Sequence, residues 1–215
     1  MTQKPSSNDP HSETRTEIVD LACKRFGMHG FKSVTMDDLA RDLGMSKKTL
    51  YEVVGSKQTL IDLVLDADME CDDQAILEAS ENSANAIEAL LEIARHFTQS
   101  MRETNPASLY DLQKYYRKSW ERLDSHHNEK MIEHVRSNLR RGQAEGLYRT
   151  NIHLELIAQI FVSAPQAMMD PTRMRVDQSE WNDLANQLIL YHLLGVCSPA
   201  GRDLLSTYLE RSTNA

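Results

Sequence analysis

Residues 35–57 read TMDDLARDLGMSKKTLYEVVGSK, and this stretch decides the fold. Thr35 with Asp38 three residues on forms a capping-box pattern, in which each residue satisfies a backbone N–H that a first helical turn leaves unpaired. Met36, Leu39, Ala40 and Leu43 then recur at helical spacing and give one apolar stripe. Gly44 follows directly, and glycine takes the left-handed conformation that ends a helix at least cost. Ser46 caps a second helix, Lys47 to Val54, in which Leu50 with Val53 or Val54 packs on the first. The opposite face carries Lys47, Lys48, Thr49, Tyr51 and Glu52. Two short helices separated only by Gly44-Met45-Ser46 fit a helix-turn-helix, whose second helix enters the DNA major groove.

The flanks extend this pattern. From Ser12 or Thr14 to Gly30 the sequence predicts a helix with Ile18, Leu21, Ala22, Phe26 and Val19 on its buried side, ended by Gly27 and Gly30. Phe31 and Val34 pin the loop that follows. Downstream, Ser56 is the N-cap of a long helix, about 57–79, carrying Leu60, Ile61, Val64, Leu65 and Met69.

Together these residues resemble the N-terminal DNA-binding domain of TetR-type transcriptional repressors. The resemblance runs over residues 14–65. It rests on Gly30-Phe31, on Thr35 with Met36-Asp37-Asp38-Leu39-Ala40, and on Gly44, Ser46, Thr49-Leu50-Tyr51 and Ser56-Lys57 with Leu60. Val54 departs from the pattern, which usually has an aromatic residue there, and so alters local packing. The resemblance implies an all-α chain: a mobile arm at 1–12, a three-helix DNA-binding domain at 13–60, and a helical ligand-binding and dimerisation domain at 61–215.

Composition agrees. The 215 residues hold only 8 Gly and 6 Pro, and four of the glycines lie at or before residue 55, so long helices are expected beyond it. No apolar run approaches the ~20 residues of a membrane span, and the polar start MTQKPSSNDPHSE has no secretory core. Three scattered cysteines, Cys23, Cys71 and Cys197, fit a reducing cytoplasm better than a disulfide framework. The net charge of −8 is uneven. Residues 1–60 hold nine Lys/Arg against eight Asp/Glu, whereas the remainder holds fifteen against twenty-four. Between Lys24 and Lys57 the count is seven basic to four acidic, a modest surplus that predicts few phosphate contacts per subunit and reliance on dimerisation.

Expected DNA-binding residues are Thr35, Ser46, Lys47, Lys48, Thr49, Tyr51 and Lys57. Lys47 and Lys48 open the second helix, where a lysine donates to guanine O6 or N7 or to phosphate; both readings stay open. Thr49 and Tyr51, by the resemblance and by their hydroxyls, donate to phosphates. Tyr51 as a packing residue is the alternative. Thr35 and Lys57 stand at helix starts whose backbone N–H groups meet phosphate, and Ser46 is primarily a cap.

Beyond residue 70 the sequence reads as a string of helices. Helices at 151–169 and 179–195 are the expected dimer interface, with Leu154, Ile157, Phe161, Leu184, Leu188 and His192 facing a twofold axis or, in the plainer reading, an internal core. The aromatic stretch from His96 to Trp120 is the candidate pocket for a lipophilic effector, through His96, Phe97, Met101, Tyr110, Tyr116 and Trp120, although aromatics at helical spacing are more often core. No cofactor or metal is expected: His126, His127, Glu129, Glu133 and His134 match no familiar zinc spacing and read as solvated side chains. Cys71 has no basic neighbour in sequence to lower its pKa. Three function classes follow: a dimeric repressor released from a palindromic operator by a small effector, a DNA-binding protein working through a protein partner, and an enzyme. The last lacks any phosphate loop, nucleophile elbow or zinc-protease motif.

Overall fold

The computed structural model describes residues 11–103, 105–169 and 181–213. Side chains at 101–103, 106, 165–169, 181–182 and 211–213 lie outside the description, as do residues 1–10 of the expected arm. The described residues form ten α-helices and no strand: α1 (Ser12–His29), α2 (Met36–Asp42), α3 (Lys47–Val54), α4 (Lys57–Asn82), α5 (Ala86–Glu103), α6 (Pro106–Tyr115), α7 (Arg117–Ala144), α8 (Leu154–Met169), α9 (Trp181–Val196) and α10 (Pro199–Thr213). The fold is therefore all-α, as the scarcity of breakers implied.

Two compact units divide the chain. One takes the residues up to Cys71 together with Glu103–Asp124, and the other takes Asp72–Arg102 and the residues from Ser125 onward. This differs from the expected division at residue 60, because α6 and the start of α7 complete the N-terminal core. Leu112 and Leu123 are buried with Ile18, Phe26, Leu39, Leu50, Leu60 and Ile61. Polar contacts fix the same packing: the Ser108 hydroxyl donates to the Phe26 carbonyl at 2.7 Å, and the Asp111 carboxylate accepts from the Lys32 backbone N–H at 2.7 Å. Gly30 is required at this junction, since its φ is +84° and a Cβ there would stand 2.8 Å from an Asp111 oxygen. Phe26 and Phe31 stack with centroids 4.9 Å apart.

The second unit is built on a separate apolar cluster. Ile87 and Leu90 of α5, Val135 and Leu139 of α7, Ala158 of α8, Leu193 and Val196 of α9 and Leu205 of α10 meet around Tyr148. Tyr148 is 2 % exposed, and its hydroxyl donates to Asn138 at 3.1 Å, which satisfies the one polar atom the ring carries inward. Arg141 donates to the carbonyls of Ser80 and Ser83, and Glu145 accepts from the backbone N–H of Ala86 at 2.8 Å, so the turn between α4 and α5 is held by α7.

Candidate nucleic-acid interface

The local geometry of α2 and α3 follows the polar residues around them. Thr35 is extended, at φ −100° and ψ 159°, and its hydroxyl oxygen accepts from the Asp38 N–H at 3.2 Å. The Asp38 carboxylate accepts in return from the Thr35 N–H at 3.2 Å and from its hydroxyl at 2.6 Å, closing the capping box. The Thr35 hydroxyl bond, ahead of any other influence, holds the Asp38 carboxyl below its ordinary pKa. At the other end of α2, Gly44 has φ +65°, the Met45 N–H reaches the Ala40 carbonyl at 3.0 Å and the Gly44 N–H reaches that of Arg41 at 3.1 Å. These are the paired bonds of a Schellman ending, which needs the left-handed residue between them. Ser46 then accepts from the Thr49 N–H at 3.0 Å and begins α3.

These caps set the rotation of α3. Leu50, Val53 and Val54 are buried, while Ser46, Lys47, Lys48, Thr49 and Tyr51 are exposed. Val54, the departure from the family pattern, is 2 % exposed and fills the core position without reaching the surface. Gly55, at φ +77°, turns the chain into α4, whose first turn is capped by Ser56 through the Thr59 N–H at 3.0 Å.

A surface groove runs between these helix starts, lined by Thr35, Met36, Asp37, Lys47, Tyr51 and Lys57. The structure thus brings four of the sequence-predicted residues, Thr35, Lys47, Tyr51 and Lys57, to one groove. Ser46, Lys48 and Thr49 lie along the exposed side of α3. Two details were absent from the sequence reading. Asp37 pairs with Lys47 at 2.7 Å, and this contact raises the lysine pKa. Lys57 is part-buried, which lowers its pKa, and its ammonium donates to the Lys32 carbonyl at 3.4 Å. The acid at the start of α2 was the available signal for the first; a loop closing over 25 residues gives none for the second. Lys48 is the more available cation of α3, with a side chain 86 % exposed and a loose 3.7 Å contact to Glu52.

The other predicted sites fall differently. Tyr110, Tyr116 and Trp120 belong to the N-terminal unit and His96, Phe97 and Met101 to the other, so the six do not share one core. Tyr116 and Trp120 pack against the N-terminal cluster, and Tyr110 is exposed. His96 bonds Asp72 at 2.8 Å and meets the edge of Phe97, while the Met101 side chain lies outside the described ones. Of the dimer residues, Leu154, Ile157 and Phe161 turn toward the core of their own unit, and Leu184 and Leu188 are part-buried. His192 is buried with its ring 4.0 Å from that of Phe161. Among the described side chains, the large apolar residues that α8 and α9 leave exposed are Leu156, Ile160, Tyr191 and Leu194. Period alone could not choose this face, because α8 is apolar nearly all round. His126 and His127, discounted as metal ligands, lie against the carboxylates of Asp73 and Asp72 at 3.3 Å each.

Among the described residues no helix is long and apolar enough to cross a membrane. Residues 18–64 match the bacterial regulatory proteins of the tetR family. Over 142 residues the chain is 30 % identical to an uncharacterized HTH-type transcriptional regulator, YvaF, of Bacillus subtilis, covering 65 % of this chain and 73 % of that protein. It is 43 % identical over 47 residues to the HTH-type transcriptional regulator BetI of Agrobacterium fabrum, which covers 22 % of this chain and 23 % of that one. A crystal structure of a transcriptional regulator from Cytophaga hutchinsonii has the same fold, with a TM-score of 0.72 at 18 % identity over 87 % of this chain and all of the other. Those matches join the capped α2–α3 pair to a relative spanning most of the chain: this protein belongs to the TetR family of DNA-binding transcriptional regulators, not to a class of enzymes.

Proposed function

We propose that the protein is a homodimeric repressor that holds a palindromic operator through α3 and is released by a small lipophilic effector. The observation that carries the dimeric reading is the exposed apolar row on α8 and α9, with Ile160 66 % and Tyr191 79 % exposed. A single recognition helix reads few base pairs, and the surplus of cations around it is small, so one subunit gains little affinity alone. A twofold pair places two recognition helices roughly 34–36 Å apart, one turn of DNA or a multiple of it. In this reading Lys48 reaches base edges, Lys47 leaves Asp37 to do the same or to meet phosphate, and Thr35, Thr49, Tyr51 and Lys57 hold the backbone.

The effector is proposed to act within the C-terminal unit and to be felt at the DNA through α4, which carries residues of both units. Thermodynamics fixes the size of the effect: the effector must prefer the DNA-free conformation by the same free energy that it removes from operator binding. Selection of bound fragments from sheared genomic DNA tests the proposal. Recovery of twofold-symmetric sites next to promoters is the expected result. Enrichment of asymmetric single half-sites, or of none, would refute the dimeric operator.

A further inference from the structure

Beyond residue 60 acids outnumber bases, yet Lys114-Tyr115-Tyr116-Arg117-Lys118 places three cations in five residues. This run forms the corner between α6 and α7, within the N-terminal unit. Tyr115 is 44 % exposed, and two ammonium groups share its ring. Lys32 lies 4.6 Å from the ring centroid and donates to the hydroxyl at 3.1 Å, and Lys114 lies 5.4 Å from the same centroid. Lys114 also donates to the Tyr110 hydroxyl at 2.6 Å. Among the described residues neither lysine side chain pairs with a carboxylate. The acids beside them are engaged elsewhere: Asp111 accepts from the Lys32 backbone at 2.7 Å, and Glu121 pairs with Arg117 at 2.8 Å.

Two ammonium groups gathered on one ring repel each other, and an anion beside them relieves that repulsion. The position of the cluster indicates which kind. Lys57 lines the α2–α3 groove and donates to the Lys32 carbonyl at 3.4 Å, and Lys32 shares the Tyr115 ring with Lys114, so three neighbouring cations link the groove to the corner. A row of cations suits a chain of phosphates, whereas a single small anion needs convergent donors.

We propose that the α6–α7 corner is a second DNA contact, in which Lys32, Lys114 and Lys118 meet phosphates of the duplex flanking the bases read by α3. This rests on the DNA-binding reading above. Such contacts are sequence-independent and release counterions, so their signature is a steeper dependence of affinity on salt. The test compares the wild type with the Lys114→Gln, Lys118→Gln double variant on random-sequence duplexes of about 16 and about 40 base pairs, the shorter being too short to extend past a dimer's recognition helices. On the long duplex the double variant is expected to lower the slope of log K against log salt by roughly 2 per subunit, with little change on the short one. Tyr51→Ala serves as the control, since it weakens binding to both. An unchanged slope in the double variant, with Tyr51→Ala still impaired, would overturn the second contact and leave the helix-turn-helix reading intact. A wild type that binds neither duplex would overturn both.

Discussion

The α2–α3 pair and the α8–α9 pair are both two helices of modest length, yet they are specified in opposite ways. In α2–α3 each boundary is fixed by a polar residue bonding to its own neighbourhood: Thr35 with Asp38, Gly44 between two backbone bonds, Ser46 with Thr49. In α8–α9 the rotation is fixed by what lies across the core, since Ile157 and Phe161 find the cluster around Tyr148 while Leu156 and Ile160 do not. A code written in local hydrogen bonds is carried by the sequence residue by residue. A choice between two apolar faces of one helix is carried by the tertiary packing alone.

The largest effects should separate the two faces of α8. Ile157→Glu places a charge where a half-buried side chain packs on the C-terminal core, and is expected to lower the melting temperature of that unit, because the charge loses part of its hydration without a partner. Ile160→Glu, at a site 66 % exposed, should leave the melting temperature of the monomer unchanged. It should instead weaken the dimer and lower operator affinity by about 100-fold, or ~3 kcal/mol. Circular dichroism and sedimentation on the two variants check this; the reverse pattern would exchange the faces.

The next effect sharpens the position of His192, expected at the dimer face and found inside. Burial pushes its pKa down to about 4, against about 6.5 in an unfolded chain. The depressed value means that the unfolded state binds the proton first on acidification. Stability is therefore fully present above pH 6.5 and falls as the pH drops toward 4, by about 3 kcal/mol in all. Urea unfolding across that window should show the loss in the wild type and a flatter profile in His192→Leu. Equal slopes would place His192 in solvent.

How far the sequence could be read follows from the same contrast. The helix-turn-helix was legible down to individual caps because Thr35, Gly44 and Ser46 act within five residues of themselves. What escaped were contacts made across long loops. Asp111 reaching Lys32 and Ser108 reaching Phe26 draw α6 into the N-terminal unit and separate Tyr116 and Trp120 from His96 and Phe97. Nothing in the spacing of those aromatics distinguishes one core from another.

The smallest effects test the local code itself. Gly44→Ala meets open space but must adopt φ +65°, so strain alone should cost the N-terminal unit roughly 1–2 kcal/mol. Ser46→Ala removes the cap of α3 and is expected to cost about 1 kcal/mol, with a matching loss of operator affinity as the first turn frays. Chemical denaturation reads both. A Gly44→Ala protein as stable as the wild type would show that the turn does not need its left-handed residue.

In the proposed repressor, α3 reads DNA as one of a symmetric pair joined through the exposed face of α8 and α9. Sedimentation of the labelled operator duplex with the protein tests it most directly, because mass reports stoichiometry. The duplex is expected to take up two copies of the 24.5 kDa chain per palindrome, and Ile160→Glu to abolish this pairing. A single chain bound per palindrome, or a pair that survives Ile160→Glu undiminished, would contradict it.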